Sequence, residues 1–326
     1  MKKYLFTFLI LICSFIFLGW GSVGHRIINR NAPSSFPQQL NFLSFWADSL
    51  AANASNADNR RSWDPNEAVK HYIDIDNYPE FILTGRINHN FDSLVALHGL
   101  SFVMEQGILP WAIIKTYDSL VVAFQSQNWN KAMLIAADLG HYLADANMPL
   151  HLTRNYNGQY TGQTGIHSRY ESTMIGNYQN QIIYNSLPAV LVNDISDYVF
   201  NMIYNNYRYV DSVLYADIVA RTVSGGSYNS IYYQKLWELT KSYTINFFRQ
   251  SSHSLASLIY TAWVNAGQPV MNVSETGEII DKTFHLYQNF PNPFGSINSY
   301  QNLSTNISWQ SPISGWHTIK LFDLLG

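Results

Sequence analysis

Apolar residues recur at intervals of three and four along most of this chain, between about Asn29 and Gly267. This spacing lines one face of an α-helix with apolar side chains, and it leaves few segments with the alternation that a half-buried strand requires. Proline and glycine separate the helical runs, as expected for connectors. The chain is therefore predicted to form an all-α domain of several helices. The clearest helical runs are residues 93 to 126, 130 to 146, 187 to 222 and 231 to 266.

Residues 1 to 19 have the layout of a secretory signal peptide. Two lysines precede an apolar run from residue 5 to residue 18, and the small residue Gly19 follows it. The alternative is a membrane anchor, but the run is shorter than the roughly 20 apolar residues of a spanning helix. Cleavage after Gly19 makes Trp20 the new amino terminus. We therefore expect a secreted or cell-surface protein that is exported through the periplasm.

The composition narrows the chemistry of the mature chain. Cys13 is the only cysteine and lies within the predicted signal peptide, so we expect neither a disulfide nor a thiolate metal site. Charged residues make up 13% of the chain, and its formal net charge is -3. A chain of this charge has no overall basic field that would attract nucleic acid, although a metal site can still attract phosphate locally.

After Gly267 the pattern changes. MNVSETGEIIDKT is polar and aperiodic, whereas HLYQNFPNPF, TNISWQ and HTIKLFDLLG are typical of short strands separated by turns. The segments LYQNFPNPF and TIKLFDLLG resemble the carboxy-terminal sorting domain that the type nine secretion system recognises. Such domains usually continue past the final LG with further strands. We therefore expect a helical domain over residues 20 to 270, a linker over 271 to 284, and a truncated β sorting module over 285 to 326 that contacts the secretion machinery.

Histidines and carboxylates recur at metal-ligand spacings. In DLGHYLADANMPLH, His141 and Asp145 lie four residues apart, which places both on one face of a helix where they can share an ion. A proline ends that helix, so His151 can turn toward a neighbouring ion. GIHSRYES repeats the arrangement, with His167 and Glu171 four residues apart. Zinc binds imidazole and carboxylate, and catalytic zinc sites keep a position for water.

Two further stretches supply candidate ligands. NADNRRSWDPNEAVKHYIDID contains Asp58 and His71, and WGSVGH places His25 five residues after the predicted amino terminus. The free α-amine and the carbonyl of Trp20 can chelate an ion together with His25. The alternative is that each histidine forms an ordinary surface pair with a nearby carboxylate, and the recurrence of the pattern weakens it. The stretches together predict one metal cluster.

The segments WGSVGH, HYIDID, HYLADANMPLH and GIHSRYE resemble the superfamily shared by bacterial zinc-dependent phospholipases C and by the single-strand-specific zinc nucleases of fungi and plants. The likeness runs from Trp20 to the YTAWVNAGQP segment near Pro269. It implies three zinc ions. The ligand sets that the resemblance implies are Asp58, His71, His141 and Asp145 for the first zinc, His151, His167 and Glu171 for the second, and Trp20 and His25 for the third, with Asp145 bridging the third zinc to the first.

Two features depart from the family pattern. The first aspartate ligand can be Asp58 or Asp48; Asp58 is preferred because its distance to the next ligand is closer to the family spacing, and Asp48 otherwise lies on a helical surface. The short tryptophan-to-histidine spacing at the amino terminus is typical of the nucleases, whereas Glu171 is typical of the phospholipases C. The ligands alone therefore do not select the substrate.

A phosphodiester hydrolase is the function that this ligand set implies. A water between two zinc ions would have its pKa lowered toward about 7 and would attack phosphorus as a bridging hydroxide, oriented by Asp58. Glu171 and the slight excess of acidic residues favour a phospholipase C type activity. The first alternative is a single-strand-preferring nuclease, for which Tyr156, Tyr160 and Tyr170 can form a stacking cleft. The second is a non-catalytic surface protein that keeps zinc for folding.

Several residues near these motifs have open roles. Arg169 either touches phosphate or caps a helix. Asp74, Asp76 and Asp138 either orient ligand histidines from outside the ligand set or are solvated carboxylates at helix ends. The remaining histidines are expected at ordinary polar positions: His89, His98, His253, His285 and His317.

Overall fold

The computed structural model describes residues 21 to 271, 285 and 286, 305 to 311, and 318. Helices carry most of these residues, so the predicted all-α class is confirmed. The α-helices are α1 (Gly21–Asn31), α2 (Trp46–Ala52), α3 (Asn56–Arg60), α4 (Pro79–Thr84), α5 (Phe91–His98), α6 (Leu100–Glu105), α7 (Leu109–Gln125), α8 (Trp129–Ala146), α9 (Ile166–Ser168), α10 (Ile175–Tyr178), α11 (Ile195–Tyr207), α12 (Val210–Val223) and α13 (Ser230–Asn265). A π-helical segment, Arg169–Met174, joins α9 to α10. Short 3₁₀ helices lie at Ala32–Ser35, Gln38–Leu43, Ala68–His71, Ile75–Asn77, Pro149–His151 and Gln179–Gln181.

Two of the predicted helical runs are interrupted. The run from 93 to 126 belongs to α5, α6 and α7, because Gly99 and Gly107 adopt φ values of +86° and +85° that favour glycine and end the first two helices. The run from 187 to 222 begins later than predicted. Residues 187 to 194 are not helical, and the side chain of Asp194 starts α11 by accepting a hydrogen bond from the backbone of the third residue of that helix.

The longest helix, α13, organises the core. It packs against α1, α7, α8 and α12, while α8 packs against α1, α2, α7 and α13. Two apolar clusters result. Leu143 of α8 belongs to the larger cluster and the adjacent Ala144 to the smaller one. The carboxy-terminal half of α8, which carries two of the predicted ligands, therefore lies at the boundary between the two clusters.

Gly140 allows α1 and α8 to approach each other closely. A Cβ atom at this position would lie 2.1 Å from Oδ1 of Asn29. Asn29 is buried, and its Nδ2 donates to the carbonyl oxygens of Ala137 at 3.0 Å and Leu50 at 3.2 Å, so its side chain is held in place. The contact keeps α1 beside the segment of α8 that carries His141.

The two ends of the chain are described only in part. The predicted signal peptide, residues 1 to 19, and nearly all of the predicted linker lie outside the described residues. Met271, at the predicted start of the linker, is buried in the larger core cluster. In the carboxy-terminal segment, His285–Leu286 pairs antiparallel with Trp309–Gln310, and the rest of the predicted sorting module is not shown. Across the described ranges, no helix is both long and apolar enough to cross a membrane.

Candidate metal centre

The predicted ligands within the described residues converge on one buried cluster. These ligands lie on several elements that are distant in sequence, so it is the packing of those elements against one another that brings the ligands together. Each is less than 9% exposed. Trp20 lies outside the described residues. The cluster contains His25 on α1, Asp58 on α3, His71 at the end of a 3₁₀ helix, His141 and Asp145 on α8, His151 in the 3₁₀ helix that follows, His167 on α9, and Glu171 in the π-helical segment.

The first ligand group surrounds the Nδ1 atom of His71. Nδ1 lies 3.0 Å from Oδ2 of Asp145 and 3.1 Å from Nε2 of His141. Oδ1 of Asp58 is 3.8 Å from each of these two nitrogens. Atoms that share a tetrahedral zinc ion at about 2.0 to 2.1 Å are about 3.3 Å apart, so these spacings suit one ion.

The second group consists of two imidazoles around one carboxylate. Nε2 of His151 lies 3.3 Å from Oε2 of Glu171, and Nε2 of His167 lies 3.2 Å from Oε1 of the same carboxylate. Glu171 is in the π-helical segment, a local widening of the helix that is common at functional sites. Both nitrogens and a carboxylate oxygen can therefore contact one ion.

The third group extends from Asp145 toward the amino terminus. Oδ1 of Asp145 is 3.5 Å from Nε2 of His25, while its Oδ2 faces the first group. The ring of His25 stacks on that of His141 with 3.8 Å between the ring centroids. One carboxylate thus lies between two candidate ion positions.

Backbone carbonyls orient three of the ligand histidines. Nδ1 of His141 donates to the carbonyl of Ala54 at 2.7 Å, and Nδ1 of His151 donates to the carbonyl of His71 at 2.5 Å. Nδ1 of His167 donates to the carbonyl of Tyr156 at 3.1 Å. A proton held on Nδ1 leaves the lone pair of Nε2 free, and in each case Nε2 faces the cluster.

The cluster concentrates carboxylates in a buried region. Burial raises the pKa of Asp145 well above its usual range, and the nearby Asp58 and Glu171 add to the effect. Burial also raises the pKa of Asp58 to about 6, against the opposing effect of His71. Burial lowers the pKa of His71 to about 4 and that of His141 to about 3, so both are neutral near pH 7, the form that binds metal.

Two carboxylate oxygens in the cluster are not satisfied by hydrogen bonds. Among the described residues, neither Oδ2 of Asp58 nor Oδ1 of Asp145 has a hydrogen-bond partner. A buried carboxylate oxygen without a partner is costly, and a divalent cation would satisfy it. This cluster of buried imidazoles and carboxylates can therefore bind metal.

A cavity of about 290 Å³ opens onto the cluster. Arg61 is the only lysine or arginine among the described residues that line it, and its guanidinium lies 3.4 Å from Oδ1 of Asp58. Burial, with a contribution from Asp76, raises the pKa of Asp74 in the cavity wall to about 7. The sequence-based reasoning missed Arg61, although it follows Asp58 by three residues. The lining residues are Arg61, Ala68, His71, Tyr72, Asp74, Leu150, His151, Tyr156 and His167.

The predicted three-tyrosine cleft is not formed. Tyr156 lines the cavity as expected. Tyr170 is fully buried and its hydroxyl pairs with that of Thr244, because its helix turns it into the smaller core cluster. Tyr160 is 71% exposed and does not line the cavity. The second aromatic side chain of the wall is Tyr72, which sequence reasoning had not selected.

The structure also separates the two candidate aspartates. Asp58 is 8% exposed and lies in the first ligand group. Asp48 is on the outer face of α2, where it pairs with Arg30 at 3.0 Å and its side chain is 85% exposed. The preference for Asp58 therefore agrees with the packing of α3 against α8.

Arg169 takes neither of its predicted roles as a phosphate contact or a simple helix cap. Its guanidinium is buried, pairs with Asp217 at 3.2 Å and lies over the ring of Tyr228 at 4.0 Å. It also donates to the carbonyls of Thr164 and Gln163 in the glycine-rich loop. This network anchors the loop that precedes His167.

The three candidate carboxylates outside the ligand set differ in position. Asp76 accepts hydrogen bonds from the hydroxyl of Thr153 and the backbone of Arg154, and Asp138 pairs with Arg60. In the described chain it is instead Glu67 that approaches a ligand imidazole, with its Oε1 3.6 Å from Nε2 of His71. The sequence indicates this role of Glu67 only through its position four residues before His71.

The described histidines outside the cluster lie at ordinary polar positions, as predicted. His89 contacts Asp197 and the hydroxyl of Tyr204, and His98 contacts Glu80. His253 donates to the carbonyl of Pro188. The side chains of His285 and His317 lie outside the described part of the chain.

No family model matches the sequence, and no curated protein matches it. The inference of function consequently depends on the side-chain chemistry of the cluster and its cavity.

Proposed function

We propose that this protein is a secreted zinc-dependent hydrolase of phosphodiester bonds. The observation that carries the proposal is the convergence of five imidazoles and three carboxylates at the edge of a cavity whose wall contains one arginine, Arg61. The donor set consists of nitrogen and oxygen without sulfur, which zinc accepts in catalytic sites.

Zinc fits the donor set better than the hard cations do. Magnesium and calcium prefer oxygen ligands and retain several waters or carbonyls, whereas each of the three groups here contains at least one histidine. When bound, zinc would supply a Lewis acid that activates water near neutral pH and stabilises negative charge on a phosphate.

The residues of the chain divide the remaining tasks. Asp58 belongs to the first ligand group and also contacts Arg61, so it can accept a hydrogen bond from the attacking water and orient it. Arg61 lines the cavity and can hold a phosphate oxygen through its guanidinium. Tyr72 and Leu150 contribute apolar surface to the wall of the same cavity.

A phospholipase C type activity is the substrate class that we favour. The cavity is small enough to admit one headgroup, and its wall combines Arg61 with the carboxyl of Asp74. A zwitterionic headgroup carries a phosphate, which can bind the guanidinium of Arg61, and an ammonium, which can lie near the carboxyl of Asp74. Glu171 in the second ligand group agrees with this class.

A single-strand-preferring nuclease is the second candidate. The observation that favours it is the pair of aromatic side chains in the cavity wall, Tyr72 and Tyr156. An unpaired base can stack on such a ring irrespective of its sequence. The two tyrosines therefore replace the three-tyrosine cleft as the basis for this alternative.

The experiment that tests the proposal compares two substrates on the same zinc-loaded protein. Release of phosphocholine from phosphatidylcholine supports the phospholipase, and release of acid-soluble nucleotides from single-stranded DNA supports the nuclease. Bound zinc with neither activity would support the zinc-stabilised surface protein instead. Failure to bind zinc at all would reject all three proposals.

We also propose export through the periplasm, with the carboxy-terminal segment addressing the secretion machinery. The basis is the sequence of residues 1 to 19 and of residues 285 to 326. Deletion of the second segment is expected to prevent release of the protein into the medium. Unchanged release would contradict a sorting role for this segment.

A further inference from the structure

His71 presents a different ring nitrogen to the cluster from three of the other ligand histidines. In His141, His151 and His167, Nδ1 donates to a backbone carbonyl and Nε2 faces the cluster. In His71 it is Nδ1 that faces the cluster, 3.0 Å from Oδ2 of Asp145. A neutral imidazole carries one proton, so His71 can offer a lone pair at Nδ1 only when the proton is on Nε2.

Glu67 is the acceptor that faces Nε2 of His71. Its Oε1 lies 3.6 Å from that nitrogen, and within the described ranges Nε2 has no hydrogen-bond partner. A contraction of about half an ångström would bring the pair within hydrogen-bond length. At His71, a carboxylate thus takes the place of the backbone carbonyl that accepts the ring N–H of His141, His151 and His167.

The carboxylate of Glu67 is held rigidly. Glu67 is fully buried, although burial of an ionised carboxylate is unfavourable without donors. Lys70 donates to Oε2 at 2.6 Å, and Arg60 donates to Oε1 at 3.3 Å. The hydroxyl of Tyr142 donates to the same Oε1. These donors keep Glu67 ionised and fix its orientation toward the imidazole.

We propose that Glu67 is a positioning residue that keeps the proton of His71 on Nε2, so that the Nδ1 lone pair faces the metal. A carboxylate in this position also makes the imidazole a stronger donor to the ion, which a backbone carbonyl does less effectively. The inference rests on the proposed zinc-dependent function. It adds a residue that contacts neither the substrate nor the ion.

Zinc affinity tests this role independently of hydrolysis. The wild-type protein, Glu67→Gln and Asp64→Asn are titrated with zinc in competition with a chromophoric chelator. Asp64 is the matched control, since its carboxylate also approaches Lys70, at 3.9 Å, and belongs to none of the three candidate ligand groups. Glu67→Gln is expected to weaken the binding of one zinc ion by about 10- to 100-fold, and Asp64→Asn by less than about twofold.

The outcomes separate the two proposals. Equal zinc affinity of the wild-type protein and Glu67→Gln would overturn the role of Glu67 and leave the hydrolase proposal intact. A wild-type protein that binds no zinc would overturn both. A purely structural role would lower the melting temperature of Glu67→Gln without changing zinc affinity.

A spectroscopic measurement keeps the proposal testable even when Glu67→Gln does not fold. In the zinc-loaded wild-type protein labelled with ¹⁵N-histidine, nitrogen chemical shifts distinguish protonated from metal-bound ring nitrogens. His71 is expected to have a protonated Nε2 and a zinc-bound Nδ1, and His141 the reverse arrangement. Protonation of His71 at Nδ1 would overturn the proposal.

Discussion

At the scale of the residue, Asp145 connects two of the three ligand groups. Its Oδ2 approaches His71 and its Oδ1 approaches His25, so the two oxygens face different candidate ion positions. The side chain is fully buried, and Arg61 only partly opposes the effect of burial on its pKa. The residue is therefore adapted to bind cations and is a source of instability without them.

Asp145→Asn is expected to lower the zinc content by about two ions per chain and hydrolysis by at least about 100-fold, because an amide is a poor replacement for a bridging carboxylate. In zinc-free protein the same change should raise the melting temperature, because it replaces a carboxyl group whose ionised form is disfavoured by burial. Elemental analysis and thermal denaturation measure the two effects. Asp48→Asn is the control and should change neither the zinc content nor the melting temperature. Loss of zinc from Asp48→Asn would contradict the choice of Asp58 as the ligand.

A second prediction at this scale concerns Asp74 and pH. Burial raises its pKa in the folded protein from 3.8 to about 7, so the folded state retains a proton that the unfolded state loses. The free energy of unfolding should therefore fall as pH rises between these values. Asp74→Asn removes this pH-dependent loss of stability. It should therefore raise the melting temperature of the zinc-free protein at pH 8 more than at pH 4.

Asp76→Asn provides the contrast. Asp76 accepts hydrogen bonds from the hydroxyl of Thr153 at 2.6 Å and from the backbone of Arg154 at 2.8 Å, so its replacement should lower stability. A melting temperature of Asp74→Asn that is equally shifted at both pH values would contradict the raised pKa.

At the scale of the element, the connection between α6 and α7 supports the segment that carries His71. The backbone of Asp74 donates to the carbonyl of Gln106, and the backbone of Ile108 donates to that of Val69, both at 2.7 Å. Gly107 lies between these two contacts with φ +85°. The turn thus fixes the position of one ligand and of part of the cavity wall.

Gly107→Ala should be more destabilising than Gly99→Ala, although both positions have similar positive φ values. A Cβ atom at Gly107 would lie 2.2 Å from the carbonyl oxygen of Tyr72, whereas at Gly99 no atom of the described chain lies within 4 Å. The steric overlap is expected to cost about 1 to 3 kcal/mol beyond the backbone strain common to both. Urea denaturation measures the difference, and equal losses would contradict the close contact with Tyr72.

At the scale of the whole molecule, the metal centre joins parts of the chain that are far apart in sequence. His25 on α1 approaches Asp145 on α8, and Glu171 in the π-helical segment approaches His151. The centre lies where the two apolar clusters meet. Metal binding is therefore expected to contribute to the stability of the entire helical domain.

Removal of zinc should lower the melting temperature of the protein. At a thousandfold excess of zinc over the dissociation constant, one site contributes about 4 kcal/mol, or about 8 to 16 °C in a domain of this size. Calorimetry with and without a chelator measures the shift. Zinc should restore the original value and magnesium should not; restoration by magnesium would contradict the preference for nitrogen ligands.

Maturation of the chain provides a further prediction. The family resemblance of the sequence implies that the free α-amine of Trp20 completes the third ligand group with His25 and Asp145. Extra residues placed ahead of Trp20 should therefore remove about one zinc ion per chain and most of the activity. The same residues appended after Gly326 serve as the control. Unchanged zinc content in the amino-terminal extension would contradict the role of the amine.

The sequence alone determined those features that depend on local spacing. The period of apolar residues predicted the all-α class, because side chains three and four residues apart share one helical face. The same geometry placed His141 beside Asp145 and His167 beside Glu171 before any tertiary contact was known. Local spacing did not predict the breaks at Gly99 and Gly107, where the backbone adopts positive φ values and where, at Gly107, the carbonyl oxygen of Tyr72 approaches closely.

Only the tertiary structure decided the relations between distant elements. Asp48 and Asp58 both lie on short helices, and the packing of α3 against α8 buries one while the other remains in solvent. Tertiary packing also brought the hydroxyl of Tyr142 onto the carboxylate of Glu67 and placed Arg61 in the cavity wall. The physical reason is that helical periodicity fixes which side chains share a face, whereas the partner of that face depends on how the whole core packs.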